Sequence, residues 1–413
     1  GDIAAPSDAS IHRFGGFRML DRSVVPGGLR DRRCHRPGSP PSRPEGASPD
    51  EGNEEEHEHE CAEYVVPLPR RGGVGGGPPS LRVRTRERKR WTKVDVKALL
   101  SHRLHGVDNT GNVAVWDAES VLTHCLFFGV DALPVSLGGS TPDDAPLGLQ
   151  EVLSLATHPA ASTEVQVDDG RKVLRVVELG AGMAGLASLA LSALCQAEFS
   201  NNVDVNAVIT DGHPDCVANN EINMDLTSAL YPSRNNDLAT VQSRRLLWDA
   251  SPYGAAQCAS VILDSKGLFD LVLSSDCTHF RDFHASLLAT LGRMLRVGGW
   301  AVLCQPRRGL SLGQFMNMVQ VVNGNIADEE NNSSNSFTVD SEAGMGPLFK
   351  AHLLDRYNDD LWTKHESLQD KGDGTYDPDI HYPLLLLLRK VRNYNEREDT
   401  HVAVRHQEER HLI

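Results

Sequence analysis

Residues 178–185 read Glu178-Leu179-Gly180-Ala181-Gly182-Met183-Ala184-Gly185. An apolar run at 173–178 leads into them and a run of small and aliphatic residues at 184–194 leads out. Gly180, Gly182 and Gly185 match G-x-G-x-x-G, a strand-to-helix turn in which glycine lets the backbone bend sharply and approach a ligand closely. By itself the pattern fits a dinucleotide turn, a turn around another nucleoside cofactor, or a purely structural glycine turn.

Outward from this turn, strand and helix patterns alternate. Strands are expected at 173–178, 205–210, 246–248, 269–274 and 300–304, and helices at 184–194, 214–225, 283–295 and 312–322. Short helices are expected upstream at 96–104 and 121–128, and two closing strands at 348–354 and 382–388. Such alternation argues an α/β fold, a parallel sheet with helices on both faces. The Gly298-Gly299 pair suits the return from the helix at 283–295 to the strand at 300–304.

The 413 residues carry 41 Lys plus Arg against 56 Asp plus Glu, a net charge of −15. That sign excludes a uniformly basic nucleic-acid binder, so no nucleic-acid partner is expected. No apolar run approaches the ~20 residues of a membrane-spanning helix, so no membrane partner is expected either. The 8 cysteines are scattered without a CxxC pair, as reduced thiols would be. No signal-peptide pattern is read, and the expected location is the cytoplasm, with the nucleus as alternative. Residues 1–80 read as a disordered low-complexity tail rich in Pro, Gly, Ser and Arg. Within it, residues 50–60 hold seven acids around His57 and His59, a solvated acidic run rather than a metal site. Residues 82–97 reverse the sign, with Arg82, Arg84, Arg86, Arg88, Lys89, Arg90, Lys93 and Lys97. This run is either a docking patch for an acidic partner or a solvated strand edge. Residues 136–170 and 323–346 read as surface insertions, and 393–413 as a charged, frayed tail.

Two acids bear on the ligand. Glu178 sits just before the first glycine. S-adenosylmethionine carries an ammonium and a sulfonium, which a carboxylate there would attract, whereas a dinucleotide's pyrophosphate would be repelled. Asp211 ends the next strand, where a carboxylate can accept hydrogen bonds from both ribose hydroxyls of either cofactor. It could equally cap the helix ahead of Pro214.

Further stretches narrow the choice. They are Asp-Asn-Thr-Gly-Asn-Val-Ala-Val-Trp at 108–116, Asp276-Cys277 with Ala285-Ser286-Leu287, Pro306-Arg307-Arg308-Gly309 followed by Gln314-Phe315, and His-Tyr-Pro-Leu-Leu-Leu at 381–386. With the glycine loop they make the chain resemble the seven-strand class I protein lysine methyltransferases over roughly residues 96–392. The resemblance implies a class I Rossmann-like sheet with its last strand antiparallel, occupying 121–392 behind a basic segment and cofactor lid at 81–120. It implies S-adenosylmethionine as cofactor. Glu178, Gly180 and Gly182 would line its methionine end, Asp211 with Gly212 and His213 the ribose, and Trp248 with Asp249 the adenine. Thr110, Gly111 and Trp116 would form the lid, and Ser275 with Asp276 would face the reacting amine. As partner it implies calmodulin, an acidic protein, methylated on a lysine up to the trimethyl state. One departure stands out. The wider family has an aromatic residue three places after the aspartate, and here that place is His279, with Phe280 next. Either His279 lends its planar ring to the lysine channel or Phe280 shifts in.

The chemistry needs a neutral amine, and lysine at about 10.4 lies about three units above neutral pH, roughly 4 kcal/mol. Asp276 is expected to orient the amine, unless it only caps its loop, and His279 to relay the proton. Arg307 and Arg308, with the basic run, would steer an acidic substrate, or bind carboxylates within the fold. The competing readings are another protein lysine as substrate, a cofactor-binding scaffold without catalysis, and a nicotinamide oxidoreductase.

Overall fold

From Phe269 to Ser274 every residue is buried, without alternation, so the strand they form must be covered on both faces. The computed structural model describes residues 17, 19–29, 59–68, 79–88, 115–130, 145–156, 172–197, 202–231, 239–324, 346–371 and 376–411. In chain order the elements are β1 (Asp21–Val24), β2 (His59–Pro67), β3 (Ser80–Arg88), α1 (Asp117–Phe128), α2 (Leu149–Ser154), β4 (Lys172–Leu179), α3 (Leu186–Gln196), β5 (Val203–Asp211), α4 (Pro214–Ser228), β6 (Ala239–Arg245), α5 (Pro252–Asp264), β7 (Phe269–Ser275), α6 (His284–Met294), β8 (Leu295–Pro306), α7 (Ser311–Val322), β9 (Phe349–Leu354), α8 (Asp359–Asp370), α9 (Pro378–His381), β10 (Pro383–Lys390) and α10 (Glu398–His411).

A 7-stranded sheet runs in the order β6-β5-β4-β7-β8-β10-β9. Strands β6, β5, β4, β7 and β8 are parallel, and β10 is antiparallel to both β8 and β9. This is the class I, Rossmann-like methyltransferase sheet, with its last strand antiparallel as expected. Two helix groups cover it. One joins α1, α3 and α4, and the other joins α5, α6, α7 and α10. Helix α3 is buried on every side from Leu186 to Cys195, as its uniformly small and aliphatic sequence requires. Register sets the strand ends flush: Leu179 pairs with Thr210 and with Ser274, and Ser275 pairs with Cys304. The chain therefore leaves β4, β5, β7 and β8 along one edge. The connections reverse direction between β4 and β7, the place where open α/β sheets hold ligands.

Several expectations are corrected. Residues 1–80 are not wholly a disordered tail, because β1 pairs with β2 and β2 with β3 in a 3-stranded sheet. Averaging composition over the tail hides this short period-two pattern. Tyr64, Val66, Leu81 and Val83 point inward and are fully buried, while the arginines of β3 alternate with them. Arg22 of β1 joins the layers by binding Glu60 at 2.5 Å and Glu87 at 2.9 Å. The strand expected at 246–248 lies instead at Ala239–Arg245, an edge strand too polar to stand out. Helices α5 and α8 were also missed, although Ser251 ahead of Pro252 caps the first and Asn358 caps the second. Part of the expected insertion at 136–170 is ordered as α2. The helix expected at 96–104, and residues 325–345 of the second insertion, lie outside the described residues.

The tail after Arg392 is also corrected, since α10 packs on α6 and α7. The Asp399 carboxylate takes Arg392 Nη1 at 2.7 Å and Nη2 at 2.8 Å, and also the Asn395 amide at 2.8 Å. Gln407 Oε1 accepts from the Ala285 amide at 2.8 Å. Asp399 is buried, and removing it takes the charge partner from the Arg392 guanidinium and the acceptor from the Asn395 amide. Asp399→Ala is expected to lower stability by about 3 kcal/mol in chemical unfolding, with α10 the first element to lose hydrogen-exchange protection.

Candidate active site

The glycine loop leaves β4 against two neighbours that tolerate no side chain there. A Cβ on Gly180 would lie 2.6 Å from Cys277 Sγ and 2.9 Å from Trp248 Cζ2. Gly180 has φ of 62°, in the left-handed region that glycine adopts without strain. The first glycine thus brings together the loop, the segment after β6 and the segment after β7. Asp211, at the end of β5, reaches across to the loop. Its Oδ2 accepts from the Gly182 amide at 2.9 Å, and its Oδ1 accepts from the His213 amide at 2.7 Å. Burial raises its pKa, opposed by those two amides. The expected alternative of a helix cap falls to His213, whose Nδ1 accepts from the Asp215 amide at 3.1 Å.

Two carboxylates close the N-terminus of α3. Glu119, from α1, accepts the Leu186 amide at 2.6 Å. Glu178, from β4, accepts the Ser188 amide at 2.9 Å through Oε2. Glu178 Oε1 is buried with no hydrogen-bond partner among the described residues. Burial, then repulsion by Glu178, pushes Glu119 well above the usual carboxylate range, and burial lifts Glu178 to about 7. Two of the first amides of this helix, which would otherwise face a ligand anion, are already taken up by these carboxyl groups.

The second cluster sits where β7 ends. Asp276 has φ of 49°, a conformation that side chains avoid at a cost of about 1–3 kcal/mol. The turn is held from several directions. The Asp276 amide donates to Cys304 O at 2.9 Å. Gln305 Oε1 accepts the amides of Cys277 at 2.6 Å and Thr278 at 3.0 Å. Thr278 O accepts from Ser311 Oγ at 2.5 Å. The Asp276 carboxylate forms a two-pronged pair with Arg308 Nε and Nη2. Arg308 is itself left-handed, at φ of 49°, and its guanidinium lies 5.8 Å from the Trp116 ring centre. The His279 Nδ1 is 2.7 Å from Asp276 O, so Nδ1 carries a hydrogen and donates it to that carbonyl. Phe280 packs on His279 with ring centres 3.7 Å apart. Trp116, Asp276, His279, Phe280 and Arg308, far apart in sequence, therefore share one cluster.

Other expected residues are placed as follows. Gly212 O accepts from Arg245 Nε at 3.0 Å. Asp249 Oδ1 accepts from the Ser251 amide at 2.7 Å, beside Trp248. Ser275 O accepts from Cys277 Sγ at 3.2 Å. Thr110 and Gly111 lie outside the described residues. Of the two readings for Arg308, the structure shows the second, since its guanidinium binds the Asp276 carboxylate within the fold. Arg307 stays exposed, with its charge facing His365 and Tyr376. The basic run is also partly spent within the N-terminal sheet, where Glu63 takes Arg84 at 2.9 Å and Arg82 at 3.5 Å. Residues 89–97 of that run lie outside the described residues. Sequence reasoning missed Glu119, Gln305 and the asparagines of α4. A carboxylate inside a helix and an amide inside a strand carry no local signal, but three asparagines within five residues of one helix do.

The proton bound by Glu178 sets a sign for stability. Its folded value of about 7 exceeds the ordinary 4.5, so its favourable contribution is complete below about 4.5 and is lost as pH rises through about 7. Glu178→Gln is expected to flatten the fall in unfolding free energy across that window. A variant profile parallel to the wild type's would remove Glu178 as its source.

The family model described as "Lysine methyltransferase" matches residues 106–322, just over half of the chain. A curated relative, "Calmodulin-lysine N-methyltransferase" of Arabidopsis thaliana, is 27% identical over 217 residues, 51% of this chain and 56% of the relative. The chain thus matches little more than half the length of that relative. Among solved structures, the MycE methyltransferase in complex with Mg and SAH is similar at 16% identity, over 53% of this chain and 42% of that one, with a TM-score of 0.24. A rRNA methylase from Streptococcus thermophilus is similar at 11% identity, over 53% of this chain and 88% of that one, with a TM-score of 0.28. With its seven-strand sheet and the match across its glycine loop and the turn after β7, the chain belongs to the lysine methyltransferase family.

Proposed function

We propose that the chain transfers methyl groups from S-adenosylmethionine to the side-chain amine of a lysine in calmodulin, up to the trimethyl state. The observation that carries the choice of cofactor is the start of α3. The amides of Leu186 and Ser188 already donate to Glu119 and Glu178, so a pyrophosphate would meet two buried acids there. The same acids, with the unpartnered Glu178 Oε1, suit a ligand with cationic and hydroxyl groups. Glu178, Gly180 and Gly182 would hold its methionine end, Asp211 with Gly212 and His213 its ribose, and Trp248 with Asp249 its base. Ser275, Trp116 and the stretch with Thr110 and Gly111 would complete the enclosure. When bound, S-adenosylmethionine supplies an electrophilic methyl group on a positively charged sulfur.

The residues after β7 then handle the amine. A lone carboxylate would hold the lysine as its ammonium, the unreactive form. Asp276 is paired with Arg308, so it offers a hydrogen-bond acceptor whose charge is already balanced. It orients the amine without fixing its proton. The Nε2 of His279 accepts the released proton, with the ring held by Asp276 O. The rings of His279 and Phe280, with centres 3.7 Å apart and planes tilted by 38°, would give the lysine stem an aromatic wall. For the substrate, the support is the relative's name and the exposed Arg307, which offers a positive contact on a chain of net charge −15.

Incubation with labelled S-adenosylmethionine and unmethylated calmodulin, read by mass spectrometry, is expected to add whole methyl steps at one lysine. Cofactor binding without transfer to calmodulin would overturn the substrate assignment. Asp276→Ala is expected to lower kcat by about 100-fold, the cost of misplacing a reacting group by about 1 Å, while cofactor affinity is retained. Equal loss of both would make Asp276 a loop cap only.

A further inference from the structure

Helix α4 carries a polar stripe that no expectation above absorbs. Asn219, Asn223, Thr227 and Tyr231 recur every four residues, on α4 and the turn after it. They face the outer edge of β3, whose inner edge is filled by β2. Tyr231 Oη accepts the Arg82 amide at 2.6 Å and donates to Arg82 O at 3.0 Å. Thr227 Oγ1 accepts the Arg84 amide at 3.1 Å and donates to Arg84 O at 3.0 Å. Asn223 Oδ1 accepts the Arg86 amide at 2.7 Å, and Asn219 Nδ2 donates to Arg86 O at 2.9 Å. Four helical residues rise about 6 Å and two strand residues about 6.8 Å, so the two ladders stay in step over these rungs.

The same stripe reaches the glycine loop. Asn219 Nδ2 and Asn223 Nδ2 each donate to Met183 O at 2.7 Å. Asn220 Nδ2 donates to Gly182 O at 3.0 Å. Gly182 is the residue whose amide binds Asp211. All three asparagines are buried, and asparagine is a poor helix former whose side chain competes for backbone groups. Hydrogen bonds therefore run from the backbone of β3 through Asn219 and Asn223 to Met183, and from Asn223 through Asn220 to Gly182, whose amide binds Asp211.

We infer that Asn219, Asn220 and Asn223 are positioning residues that make the seating of β3 set the shape of the cofactor loop, so that the N-terminal sheet governs cofactor affinity. The inference rests on the proposed cofactor for its functional meaning, but its physical content is the coupling of β3 to the loop. Thr227→Val and Tyr231→Phe are near-isosteric, touch only the β3 side, and leave the loop's own contacts in place.

The test uses the full chain carrying both substitutions. Hydrogen exchange of the amides at 180–185 without ligand is expected to quicken by about tenfold, the equivalent of one to two hydrogen bonds. Binding of S-adenosylhomocysteine, by calorimetry, is expected to weaken by a similar factor, raising KM for the methyl donor more than it lowers kcat. Thr227→Ser, which keeps the hydroxyl, restores both. Asn220→Ala, which cuts a loop-side bond, is expected to loosen the loop while the amides of Arg82 and Arg84 stay protected. Faster exchange in β3 with an unchanged loop would overturn the inference and leave the stripe as a seat for an edge strand. A wild-type chain that ignores S-adenosylhomocysteine would contradict the proposed cofactor, and the exchange result would still decide the coupling.

Discussion

The start of α3 is where the constraints of this molecule meet. A helix that is buried on every side cannot leave its first amides to water, so the fold must supply acceptors from within. It supplies them as two acids from different elements, Glu119 on α1 and Glu178 on β4. That fixes α1 to the sheet and sets the path of the glycine loop. It also lines the helix start beside the β4–β7 switch with carboxyl oxygens, and the Asp211 carboxyl binds the same glycine loop. Burial is the first cause that raises both carboxyls, and repulsion by Glu178 adds to it at Glu119.

Asp276 and Arg308 repeat the theme at the next strand ends. Both are held in left-handed backbone, and each neutralises the other. Conformations of that kind persist only when the surroundings over-determine them, and here Gln305, Ser311 and the Cys304 carbonyl do so. The cluster is rigid and has an acceptor whose charge is balanced, which is what handling an amine near neutral pH asks of it.

Much of this was legible in sequence because it is local. The glycine spacing and the apolar runs before and after it gave the order of strands and helices, with 269–274 among the strands. The meeting of Trp116, Asp276 and Arg308 is tertiary, and neither spacing nor family likeness indicates it. What sequence hid had physical reasons. In β3, arginines mask a period of two, since the eye weighs the charges and not the Leu81, Val83 and Thr85 between them. Helix α10 is held by ion pairs and a glutamine side chain, so it lacks an apolar stripe. For Arg308 the sequence leaves two readings open, and only the fold decides between them, because its partner lies thirty-two residues back.

The account stands or falls on what the glycine loop binds. Titration calorimetry of the full chain with S-adenosylmethionine and, separately, with NADH separates the alternatives on one preparation. The account predicts saturable binding of S-adenosylmethionine at one site per chain and no binding of NADH. Binding of NADH with S-adenosylmethionine ignored would contradict it, and would mean that the acids at the start of α3 do not govern the ligand.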